Sequence, residues 1–169
     1  MRGRKSAVER EEAERLVEAH GQAVYRLAYA RTASRADAED IVQETFLRLV
    51  RQSPEFRDDE HCRAWLLRVA ANCAGDLFRS PWRRRIRPLE EAGALTAPEP
   101  EGEGDGAVAA VLALPERYRA VIHLFYYEEM SVAEIASILG LREGTVRTRL
   151  SRARDKLRAM LEGTEETHV

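Results

Sequence analysis

Apolar residues recur along most of this chain at spacings of three and four, the period of a helix with one buried face. Between residues 9 and 32, Leu16, Ala19, Ala23, Leu27 and Ala30 make the first such stripe, after a charged and frayed start. Arg35-Ala36 reads as a break, Asp37 as the cap of a second helix, and Asp40 as part of a capping box. The second stripe is Ile41, Val42, Thr45, Phe46, Leu49 and Val50. Gln52-Ser53-Pro54 stops it, because proline disfavours helix in the residue before it. A loop to Asp59 leads to a third helix, Glu60 to Phe78, which Ser80-Pro81 ends or kinks. The pattern resumes with Ala107–Leu114, Pro115 suits a first helical position, and Glu116–Tyr127 continues.

The last stretch has the most punctuation. Ser131 and Glu134 are spaced as a capping box, opening a short helix with Ile135, Ile138 and Leu139 inward. Gly140 sits where a left-handed helix end is wanted, and Leu141 is the natural plug of the turn. A second helix then carries Val146, Leu150, Ala153, Leu157 and Met160 or Leu161 on one side. Two helices joined by a glycine turn make a helix-turn-helix. The opposite face of the second helix holds Thr145, Arg147, Thr148, Ser151 and Arg152, with Arg142 just before it. These side-chain types reach guanine edges, thymine methyls and phosphates in a major groove.

Composition agrees with helix: Ala, Leu, Arg and Glu dominate, and 44% of the 169 residues are hydrophobic, enough to bury a core. The net charge of −2 argues against a simple nucleic-acid binder, but its distribution changes that picture. Arginines 79, 83, 84, 85 and 87 form one basic run; Glu90 to Asp105 holds six acids and no base. Arg142 to Arg158 has seven bases against two acids. Separate charge blocks suit separate partners. Residues 88–105 also hold Pro98, Pro100 and glycines 93, 102 and 104, so they read as a flexible acidic linker. The expected fold is all-α: two small helical domains, 9–87 and 106–162, joined by that linker, with the helix-turn-helix in the second.

Other chemistries find little support. Cys62 and Cys73 fall on one helix about 16 Å apart, too far for a disulfide. No CxxC or HxxxH spacing is present, the histidines 20, 61, 123 and 168 are scattered, and no glycine-rich phosphate loop occurs. No catalytic residues, metal or cofactor are therefore expected, nor is a nucleic-acid-modifying enzyme. The longest apolar run, Ala107 to Leu114, is far short of the roughly 20 residues a membrane span needs, so no membrane partner and a cytoplasmic location are expected.

On the second helix, Asp40, Gln43, Glu44, Leu47 and Arg51 share the face opposite Ile41, Phe46 and Leu49. A leucine exposed among polar groups suits a protein contact. On the third, Asn72 is a poor mid-helix residue that offers a donor and an acceptor, and Arg68 lies one turn away. Trp65 reads as core. The arginine run from Arg79 through Arg83 and Arg84 either follows phosphates or is solvated.

Two segments resemble a known family. Residues 114–161, above all Leu114-Pro115-Glu116-Arg117-Tyr118-Arg119, Glu134-Ile135-Ala136 and the run from Gly144 to Arg154, are similar to sigma factor region 4. Asp37 to Leu49 and Ala64 to Arg79 resemble sigma region 2 of the extracytoplasmic-function (ECF) type. The resemblance implies an alternative-sigma transcription initiation factor. It would bind RNA polymerase core, melt and read the −10 element with region 2 and read the −35 element with region 4. By resemblance the Asp40–Arg51 face grips the β′ clamp, region 4 meets the β flap, and an anti-sigma factor is a further partner. Phe56, Arg68 and Asn72 would surround a base flipped from the single-stranded −10 element, with Arg79, Arg83 and Arg84 on its backbone. The duplex −35 element would meet Arg142, Thr145, Arg147, Thr148, Ser151 and Arg152. The linker would thread the RNA exit path; its composition fits a solvated spacer equally well. Gly75 in mid-helix departs from the expected pattern, at about 1 kcal/mol against alanine and with local fraying expected. Glu129 stands where the family often has glycine, and is strained if that turn needs a positive φ. The rival reading is a stand-alone helix-turn-helix regulator with an N-terminal sensing or dimerising bundle, which leaves Asp37–Leu49 without a reason.

Overall fold

The computed structural model describes residues 2–79 and 105–166; Arg83, Arg84 and the expected linker lie outside them. Every regular element among the described residues is a helix, and the chain divides into two compact units after Leu77. Each is taken by itself.

The first unit has three helices: α1 (Arg2–Thr32), α2 (Arg35–Gln52) and α3 (Asp59–Arg79). Helix α1 begins earlier than its apolar stripe, since no proline interrupts its Arg- and Glu-rich start. Its buried face is also turned from the expected one. Val24, Leu27, Ala28 and Ala30 are buried with His20, whereas Ala19 is exposed. His20 can turn inward because its Nε2 meets Asp59 Oδ1 at 2.9 Å, tying α1 to the first residue of α3. The α1–α2 junction is two residues long. Thr32 Oγ1 donates to Ala28 O and accepts from Ser34 N–H, which closes α1. Ala33 then takes φ 52°. Ser34, not Asp37, caps α2, its hydroxyl accepting the Asp37 N–H. Asp37 instead falls in the first turn, where a carboxylate suits the positive end of the helix dipole.

Helix α2 buries Ile41, Thr45, Phe46 and Leu49 as its stripe demands, but Val50 is 54% exposed. Helix α3 buries Cys62, Leu66, Leu67, Val69, Ala70, Ala71, Cys73 and Ala74, and runs unbroken through Gly75. Both cysteines are free. Burial pushes the Cys62 thiol up to about 11, Asp59 and Glu12 adding to it, and burial raises Cys73 likewise. Neither thiol is expected to react with Ellman's reagent in the native protein, and both should react at once in denaturant. Fast native labelling would show that the core opens.

The second unit contains α4 (Asp105–Leu112), α5 (Glu116–Ile122), a π-helical turn (His123–Tyr127), α6 (Val132–Leu139) and α7 (Glu143–Glu166). Pro115 is the cap before α5 and not its first residue. The buried Arg119 reaches back to the Leu114 carbonyl at 3.1 Å and fastens the α4–α5 corner. The expected continuous helix to Tyr127 widens by one residue per turn at His123. There Glu128 N–H bonds to His123 O, and Glu128 Oε1 lies 3.3 Å from His123 Nε2, both at the i, i+5 spacing that a π-turn aligns. Glu129 does take φ 54°. A non-glycine residue there stores on the order of 1 kcal/mol, so Glu129→Gly is expected to raise the melting temperature slightly.

Helix α6 has its full capping box, Ser131 and Glu134 each accepting the other's backbone N–H. Ser131→Ala should cost about 0.5–2 kcal/mol, read by denaturant melting. Gly140 ends α6 at φ 66°. Leu141 is half-buried rather than a full plug. Ile135, Ile138, Val146, Leu150 and Ala153 close the core between α6 and α7; Leu161 is largely exposed.

Candidate nucleic-acid and protein interfaces

Three surfaces carry the expected site residues. On α2, Asp40, Gln43, Leu47 and Arg51 are exposed on one face, Leu47 by 47%. Glu44 differs. It is half-buried, and its Oε1 accepts from Arg48 Nε at 3.2 Å. That bond holds the Arg48 guanidinium proton more tightly than usual, and the same guanidinium lies 3.8 Å from Asp76 on α3. Glu44 thus braces α2 against α3 as well as bordering the outer face. Beside this face, Val17, Phe46, Leu47 and Val50 line an apolar groove between α1 and α2. The exposure of Val50, unexpected from the stripe, belongs to that groove.

On α3, Arg68, Asn72 and Arg79 are exposed. Trp65, expected in the core, is half-exposed and shares a face with Arg68 and Asn72 at i, i+3, i+7. Phe56 reaches this face from the loop. Its ring is edge-on to Trp65 at 5.8 Å and to His61 at 5.4 Å. Phe56 is therefore brought against Trp65, and Trp65 stands one turn from Arg68 and two from Asn72. The loop is fastened at its foot: Asp58 Oδ1 accepts His61 N–H at 2.7 Å, and His61 Nδ1 accepts Arg57 N–H at 3.1 Å. A tryptophan reads as core by hydrophobicity alone; only its i, i+3, i+7 register with Arg68 and Asn72 hinted otherwise.

The third surface surrounds the start of α7. Arg142, Arg147, Thr148, Ser151 and Arg152 are exposed, and Thr145 is half-buried. Arg117, Arg142, Arg149 and Arg152 line one open cleft of about 590 Å³ with Tyr118, Gly144, Thr145 and Thr148, and no acid lines it. The Arg117 guanidinium first, with Arg152 beside it, holds the Tyr118 hydroxyl below the ordinary phenol range. Four converging guanidinium groups favour an anion. Arg117, Tyr118 and Arg149 were not anticipated from sequence, because Arg117 and Tyr118 arrive from α5. Two expected side chains are already engaged: Arg147 pairs with Glu143 at 3.5 Å, and Thr148 Oγ1 donates to Gly144 O at 3.0 Å. Among the described residues no cluster of three potential metal ligands occurs, and no helix is long and apolar enough to cross a membrane.

These surfaces fall inside two matched family models: sigma-70 region 2 over residues 16–84 and sigma-70 region 4 over residues 107–157. The chain is 38% identical over 156 residues to the ECF RNA polymerase sigma factor SigL of Mycobacterium tuberculosis, covering 87% of each protein. The chain belongs to the ECF RNA polymerase sigma factors. It is 33% identical to SigW of Bacillus subtilis over 86% of this chain and 87% of that protein. With SigE of Mycolicibacterium smegmatis it shares 36% identity over 86% of this chain, spanning 60% of the length of that relative. Among solved structures it is similar to CnrH, determined in complex with the cytosolic domain of CnrY. The TM-score is 0.63 at 30% identity, covering 95% of this chain and 94% of that one. RpoE of Bartonella quintana, solved with the anti-sigma factor NepR, shares the fold at TM-score 0.65 and 23% identity, covering 90% of this chain and 98% of that chain. An ECF sigma factor is an alternative sigma factor, a transcription initiation factor.

Proposed function

We propose that this sigma factor binds RNA polymerase core through the exposed α2 face, reads the single-stranded −10 element with α3 and reads the duplex −35 element with α7. The observation that carries the reading is the row Trp65, Arg68, Asn72 on one face of α3, Arg68 and Asn72 exposed and Trp65 half-buried, with Phe56 held against its end. A flipped base there has an aromatic wall, an amide to bond its edge and a cation for its phosphate. Unstacking costs a few kcal/mol, which stacking and edge hydrogen bonds offset. Arg79, and Arg83 and Arg84 beyond it, continue along the strand.

On α2, Asp40, Gln43, Leu47 and Arg51, with Glu44 at the border, meet the β′ clamp; the second unit meets the β flap. Helix α6, the Gly140 turn and α7 act as a helix-turn-helix, with Arg142, Thr145, Arg147, Thr148, Ser151 and Arg152 toward the −35 duplex. The factor works in the cytoplasm. On the likeness to CnrH, which was solved with a protein partner, an anti-sigma factor restrains it. The test is reconstitution with purified core: the chain should co-purify with core and direct run-off transcription, while binding promoter duplex only weakly alone. Tight, specific duplex binding by the free chain would instead favour a stand-alone regulator.

Within α7, Arg152→Ala should weaken −35 recognition most, by about 1–3 kcal/mol for a specific contact, since its exposed side chain lines the acid-free cleft at the start of α7. Arg147→Ala and Thr148→Ala should cost less, because each side chain must first leave an internal partner. Core affinity should stay unchanged in all three. Undiminished −35 preference across the set would place the reading face elsewhere.

A further inference from the structure

We propose that His61 is a positioning residue for promoter melting, setting Phe56 in place for the unpaired base; this rests on the reading of Phe56 as a base contact. His61 does two things at once. Its Nδ1 accepts the Arg57 N–H at 3.1 Å, holding the backbone one residue after Phe56. Its ring meets the Phe56 ring edge-on at 5.4 Å and 88°, and Phe56 also meets Trp65 edge-on at 5.8 Å. Phe56 thus packs against two aromatic side chains of the same helix, one turn apart.

The contact with His61 is itself braced. Asp58 Oδ1 accepts the His61 N–H at 2.7 Å, so residues 57, 58 and 61 close a hydrogen-bonded ring at the start of α3. Asp59 is tied to the buried His20 of α1 at 2.9 Å. With Nδ1 accepting, the neutral imidazole carries its proton on Nε2. The loop between α2 and α3 has few other constraints, and a ring free to leave Trp65 would have to be ordered each time a base arrives. Presetting it removes that cost from the melting step, as preorganisation does in binding generally. The histidine therefore acts through Phe56 and does not itself touch the base.

The experiment measures open-complex formation by holoenzyme rebuilt from core and the full chain carrying His61→Ala, Phe56→Ala, both, or His61→Asn. Asparagine keeps an acceptor near the place of Nδ1. Phe56→Ala should slow opening about tenfold, the scale of one lost stacking contact. His61→Ala should slow it several-fold, and the double variant should be no slower than Phe56→Ala. His61→Asn should recover most of the lost rate, and core affinity should be constant throughout. A double variant slower by the product of the two single effects would overturn the proposal, since residues acting through one another are not additive. So would a His61→Ala holoenzyme that opens at the wild-type rate, or a His61→Asn one no better than alanine. If Phe56→Ala itself opens at the wild-type rate, the base-contact reading fails and this proposal with it. Failure confined to the histidine variants leaves that reading standing.

Discussion

Asp40→Lys and Leu47→Glu are each expected to cut the affinity for core polymerase by about a hundredfold or more while leaving the fold intact. The size follows from a wrong charge at an interface, which costs several kcal/mol, each 1.4 kcal/mol being tenfold. Fold retention follows from exposure. Asp40 faces solvent and Leu47 is 47% exposed, with Ile41, Phe46 and Leu49 holding α2 from the other side. Glu44→Lys is the poorer test of the same face. It removes the acceptor of Arg48 and sets a second cation beside it, so α2 loses a brace against α3 before any partner arrives. Competition with a labelled wild-type sigma factor, alongside far-ultraviolet circular dichroism, separates the two effects. Normally folded Asp40→Lys and Leu47→Glu proteins that compete at wild-type strength would remove α2 from the polymerase contact.

The second large effect is expected at Asn72. Asn72→Ala should abolish discrimination at one −10 position while other positions stay strict. One good base contact is worth about 1–3 kcal/mol, a selectivity factor of roughly 5 to 150. Its stability should not fall. Asn72 is exposed on α3, so no packing is lost, and alanine is the better helix former by about half a kcal/mol. An exposed asparagine in mid-helix therefore has no folding role that alanine could not fill. Open-complex rates across a promoter library, with wild type and Asn72→Ala, give the answer. Selectivity retained at every −10 position would make Asn72 a bystander and shift the reading of the base to Arg68.

The apolar periodicity placed the core-facing residues of α2, α6 and α7 correctly for the most part, and Ser131, Glu134 and Gly140 stand in the capping roles their types require. Glu129 takes the positive φ that a missing glycine foretold. These features are local. Each depends on a residue and neighbours within about one turn, where periodicity and capping chemistry act.

Two of the misreadings turn on a partner outside the residue's own helix, and the third on how the preceding helix closes. His20 lies outside the apolar stripe read for the first helix, yet it is buried with its Nε2 2.9 Å from Asp59, 39 residues away. Trp65 reads as core, yet it is only half-buried, at the edge of a face it shares with Phe56, Arg68 and Asn72. Ser34 displaced Asp37 as a cap because Thr32 closed α1 two residues earlier.

What the sequence determined by itself was the helical class, the separate charge blocks, the two ends of α6 and the residue types on each outer face. The tertiary structure alone decided which of those side chains meet. Phe56 rests on Trp65 and His61, Arg117 joins Arg152 around Tyr118, and Arg48 bridges Glu44 toward Asp76. The physical reason is range. A helix's period and its caps are set by contacts a few residues apart, whereas each of these meetings needs a helix placed against another helix or a loop folded back on it, and that placement comes from burying several stripes together.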